Sequence, residues 1–102
     1  MLHMLVATHT PDMCAAVVPK WREKALAGFK QMDKTAKALG ISMKGSWTNM
    51  PAHTIYVVCD APNAHVVNQL ASEMHLVDWN TVVVTPVISF EEAMARLQQA
   101  SK

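Results

Sequence analysis

Cysteine, glycine and aromatic residues are scarce in this 102-residue chain, which has two Cys, three Gly and only 6% Phe, Trp and Tyr together. The two thiols, Cys14 and Cys59, lie far apart and match no CxxC spacing, so a disulfide scaffold is excluded and reduced thiols are expected. With so few glycines there is no phosphate-cradling loop, which argues against a nucleotide site. Charged residues are also sparse, at 17%, with lysines and glutamates interspersed and a formal net charge of +1. No basic stripe forms, and nucleic acid is set aside as a partner. Paired carboxylates for acid–base work are missing as well, since Glu91 and Glu92 belong to a helix cap and the others are scattered. No apolar run approaches a membrane span, and Met1-Leu2-His3-Met4-Leu5-Val6 has neither a basic region nor a cleavage site. A soluble, cytoplasmic protein without a membrane partner is expected.

What is present is apolar, 51% of the residues, which is high for a chain that forms one domain over residues 1–102. Part of that surface is expected to meet another subunit. Leu2 to His9 reads as a strand that stops at Thr10-Pro11-Asp12, the start of a helix. Pro19 kinks or restarts that helix, whose stripe is Trp21, Ala25, Phe29, Met32, Ala36 and Leu39, and Gly40 ends it. Ile41–Thr48 and His53–Cys59 read as strands joined by the turn Asn49-Met50-Pro51-Ala52. Asn63 caps a second long helix with Val66, Val67, Leu70, Ala71 and Met74 on its buried side. Trp79–Val87 is a last strand, with Pro86 arguing for an edge position, and Ser89-Phe90-Glu91-Glu92 is a capping box that opens a final helix. The strands are apolar on both faces, so each face wants cover. Two long helices cover only one, and an identical chain is the economical cover for the other.

The order βαββαβ with an extra C-terminal helix is that of an α+β ferredoxin-like fold. Closer likeness lies in Gly45-Ser46-Trp47-Thr48, in Ile55-Tyr56-Val57-Val58-Cys59-Asp60-Ala61-Pro62-Asn63, and in the alanine- and leucine-bearing helix and valine-rich strand that follow. These residues resemble the GYD-domain proteins and a related uncharacterised family of short bacterial proteins. Both are similar to the dimeric α/β barrel superfamily, whose two ferredoxin-like sheets face each other across a cavity. The resemblance implies a homodimer of that kind. It covers roughly residues 45 to 90, and its motif is structural, so it implies no particular reaction.

Strand order 4-1-3-2 would gather His9, Cys14, Trp47, Asn49, His53, His75 and Trp79 at one end of the sheet. Three functions compete for that rim. The first is a small hydrophobic or aromatic ligand in a dimer cavity, with Met4, Trp47, Asn49, Tyr56 and Trp79 as binding residues and His9 and His53 as acid–base groups. The plainer role for the tryptophans is to plug the barrel end or the dimer interface. The second is a transition metal or haem held by His9, Cys14, His53 and His75 with Met74 as a soft donor; no pair stands at i, i+4 on a helix, and separate hydrogen-bonded histidines are the plainer reading. The third is partner binding or assembly without catalysis, which eight methionines favour slightly, although several sit on buried stripes. A Cys14/His9 pair would suit nucleophilic chemistry if Cys14 stood at a helix N-terminus, whereas flanking by Met13, Ala15 and Ala16 suits an inert buried thiol.

Overall fold

Alternation along the first strand decides the layering. In β1 (Leu2–Thr8), His3, Leu5 and Ala7 are buried while Leu2, Met4 and Val6 are only half-buried. The computed structural model of the chain, which describes residues 1–101, pairs β1 antiparallel with β3 (Thr54–Asp60) on one side and β4 (Thr81–Pro86) on the other. β2 (Ser42–Asn49) pairs with β3, giving the order β2-β3-β1-β4 of a ferredoxin-like fold. Pro86 ends an edge strand, where its missing N–H costs no ladder bond.

One face of the sheet is covered by α1 (Pro19–Lys30), α2 (Met32–Ala38) and α3 (Ala64–Glu73). Leu5 and Val57 from the sheet meet Val67, Leu70 and Ala71 from α3, and Met74 just after it, in one core. The Asn63 side chain accepts the Val66 N–H at 3.0 Å, and Gly40, at φ +74°, takes the left-handed turn that ends α2. The helix expected as one piece breaks at Gln31, although the stripe Phe29, Met32, Ala36 runs on across the break and gives no sign of it. Thr10 and Pro11 do open a short first piece that restarts at Pro19, but that piece is a single 3₁₀ turn, Pro11–Met13, so Cys14 follows it as C-cap and does not stand in a helix's first turn. The cause is Pro19, which holds Val18 extended at φ −99°, ψ 108° and keeps any helix from running through. Trp79 and Asn80 fall before β4 rather than within it.

The other face presents one row across all four strands, Trp47, Tyr56, Val6 and Val83. Trp47 and Val83 are more than half exposed, at 61% and 55%. α4 (Phe90–Ala100) begins at Ser89, whose hydroxyl accepts the Glu92 N–H at 3.0 Å, but it buries none of its residues. Its apolar stripe of Phe90, Met94 and Leu97 stands in solvent, with Phe90 82% exposed.

Among the described residues no helix is long and apolar enough to cross a membrane.

At Gly28, α1 closely approaches the end of α3. A Cβ there would stand 2.4 Å from the backbone carbonyl oxygen of Met74, an atom with little freedom to move. Gly28→Ala is therefore expected to destabilise the fold by about 1–3 kcal/mol through overpacking. Urea unfolding measures it, and unchanged stability would mean that α1 and the end of α3 are not in contact.

Candidate metal centre

The rim site begins where β1 and β3 pair. Beyond the last strand pair, Thr8 with Thr54, the His9 N–H donates to the His53 carbonyl at 3.2 Å and extends the ladder. The hairpin delivers His53 to this point. Asn49 Oδ1 accepts the Ala52 N–H at 3.2 Å, the His53 N–H donates to the Met50 carbonyl at 3.1 Å, and His53 closes the turn at φ +51°. That left-handed conformation is strained for a residue with a Cβ, although histidine adopts it more readily than most.

Cys14 enters from the other side, on the turn after β1, buried at 8% exposure. Donor atoms of His9, Cys14 and His53 all lie within 4.8 Å of one another. The two imidazole centroids are 5.1 Å apart in an edge-to-face arrangement, and the His9 ring is 4.7 Å from the Trp79 ring. A tetrahedral shell with bonds of about 2.0–2.3 Å spaces its donors roughly 3.3–3.7 Å apart, so side-chain rotations closing the triad by about 1 Å would supply three of its four positions.

Asn80 sets which nitrogen His9 offers. Its Nδ2 donates to the Leu76 carbonyl at 3.1 Å, which turns its Oδ1 toward His9 Nδ1 at 2.9 Å. An amide oxygen only accepts, so the His9 proton sits on Nδ1 and the lone pair on Nε2. His9 Nε2 is buried without a hydrogen-bond partner, as are His53 Nδ1 and Trp79 Nε1. Three orphaned polar atoms on adjoining rings are a costly arrangement, since an unsatisfied buried group typically costs about 1–3 kcal/mol.

A cavity of about 400 Å³ opens beside them, under the helices. His9, Cys14 and Trp79 form part of its wall, and Phe29, Met32, Ile55 and Val57 supply apolar surface.

The structure thus brings together three of the four metal-ligand candidates. His75 is not with them: it closes α3 at φ +61°, half exposed, and its Nδ1 bonds Asp78 Oδ2 at 3.2 Å. The same carboxylate takes Lys24 Nζ at 3.6 Å. Met74 lies in the core at 2% exposure and is not available as a soft donor. The expected ligand set divides across the sheet. Trp79 borders the cavity; Trp47 reaches its edge but shares the open face with its strand partner Tyr56, and Met4 lies on that face too, having the same parity in β1 as Val6, the other partner of Tyr56. Asn49 serves the hairpin turn. Cys59, at the far end, is fully buried, and burial first, then the neighbouring Asp60 carboxylate, pushes its thiol pKa up. Asn80 falls at this end of the sheet by strand order, but its bond to His9 was not legible in the sequence, nor were Phe29 and Met32 as cavity residues.

The fold and this rim define a ferredoxin-like α+β domain with a cluster of two half-buried histidines and a buried cysteine. The chain belongs to the family described as "Domain of unknown function (DUF3303)", which matches residues 1–101. The likeness to GYD-domain proteins is not part of that match. No curated protein matches the chain. Among solved structures it is similar to SCO4226 from Streptomyces coelicolor A3(2), at 12% identity and a TM-score of 0.45, with 85% of this chain and 99% of that one covered.

Proposed function

We propose that the chain binds a divalent transition-metal ion through His9, Cys14 and His53. The observation that carries the reading is the triad itself, three donors of the right chemistry within 4.8 Å of one another. The orphaned His9 Nε2 and His53 Nδ1 support it, because a metal ion satisfies lone pairs that no protein donor reaches. So does the Asn80 bond to His9 Nδ1, the kind of outer contact that fixes a ligating imidazole. Two imidazoles and a thiolate suit zinc best, with copper and nickel as competitors. Haem is disfavoured: a porphyrin leaves two axial positions on opposite sides of its plane, and three converging donors suit a bare ion.

The cavity supports a second reading, a small apolar molecule bound without metal, with His9 and His53 as hydrogen-bonding or acid–base groups. Metal titration separates the two. Zinc is expected to bind one ion per chain by competition with a chromophoric chelator. His9→Ala, Cys14→Ala and His53→Ala should each weaken it about 100-fold, and Asn80→Ala about tenfold. His75→Ala should bind like the parent. Equal affinity in the three triad variants would end the metal reading and leave the apolar one.

For the open sheet face we propose a second copy of this chain as occupant. Its central row of Trp47, Tyr56, Val6 and Val83 carries no charge, α4 offers a second exposed apolar stripe, and a net charge of +1 sets up little repulsion between copies. Sedimentation at micromolar concentration is expected to show dimer, and Val83→Lys to shift it toward monomer. A parent chain that sediments as monomer would remove the proposal.

A further inference from the structure

Resting on the metal reading, we propose that the centre takes a small apolar carboxylate as its exogenous ligand, with one oxygen on the metal, the other on Trp79, and the tail in the cavity.

Three protein donors leave a position open in a tetrahedral shell, as in zinc sites that act on or bind a further ligand. That position has to be filled from a space the triad borders, and the cavity of about 400 Å³ has His9 and Cys14 in its wall. No Asp, Glu, Lys or Arg lines it, so the charge there is set by the centre itself. A divalent ion with one thiolate and two neutral imidazoles carries a net +1, which a monoanion neutralises in a poorly solvated place.

Trp79 selects among monoanions. It is 5% exposed, its Nε1–H has no partner, and its ring both lines the cavity and packs 4.7 Å from His9. An indole N–H only donates, so the partner it would take in the loaded site is an acceptor. A carboxylate has such a second oxygen and a thiolate or halide does not. The remaining wall, with Phe29, Met32, Ile55 and Val57, fits an alkyl or aryl tail of modest size.

Cobalt(II)-loaded protein tests this, because thiolate-to-cobalt absorption reports the metal centre and the d–d bands report its fourth ligand. Octanoate or phenylacetate should shift the d–d bands saturably and bind at least about tenfold more tightly than acetate, which lacks the tail. Whether octanoate or phenylacetate binds better tells an alkyl from an aryl tail. Trp79→Phe should weaken octanoate about tenfold, the worth of a hydrogen bond to a charged acceptor, relative to octanethiolate, which offers a single donor atom. Acetate binding as well as octanoate, an equal effect of Trp79→Phe on octanethiolate, or octanoate binding unchanged in metal-free protein would each overturn the proposal. Thiolate-to-cobalt absorption with d–d bands that ignore every carboxylate discards the proposal alone. Absence of that absorption discards the metal reading and the proposal with it.

Discussion

The rim depends on one backbone hydrogen bond, from the His9 N–H to the His53 carbonyl. It carries the β1–β3 pairing one step past the strands and so ties the end of one to the start of the other. Because β1 is central and bonded on both edges, its end is also the place where the segment before β4 arrives with Trp79 and Asn80. Strand pairing brings two histidines 44 positions apart in the chain to one point, and the left-handed turn at His53 goes with their ring contact. α1 starts only at Pro19, and Cys14, on the segment before it, brings its sulfur to the same point.

This arrangement does not look like one selected for stability. A left-handed histidine, a thiol and three unsatisfied polar atoms are concentrated in a few ångströms beside an apolar cavity, in a small domain with little stability to spare. Elsewhere local rules are met more often: α3 and α4 have side-chain caps, the α3 stripe is buried and the edge proline is placed where it does no harm. A concentration of such breaches at one point is what a binding site leaves in a structure. The Leu76–Asn80–His9 chain points the same way, since it spends an asparagine on holding one imidazole in one tautomer.

Much of the fold was legible in the sequence because its signals are local. Asn63 and Ser89 announce their helices through side chains that bond a backbone N–H three residues on, and Val67, Leu70, Ala71 and Met74 mark a helical face by spacing alone. Strand order followed from the element order. Less legible was which face of the sheet a residue joins, since strands apolar on both sides hide the parity that separates Tyr56 from Val57. His9, Cys14 and His53 were identifiable as residues at one end of a sheet, but their convergence depends on a left-handed hairpin residue and a proline-enforced turn. Asn80 carried no motif, because its role exists only through a bond to a residue 71 positions away.

X-ray absorption spectroscopy of zinc-loaded protein tests the central claim most directly, since it reads the atoms around the ion. Binding by His9, Cys14 and His53 predicts one sulfur at about 2.3 Å together with imidazole scattering from two histidines. A shell of oxygens without sulfur would contradict it.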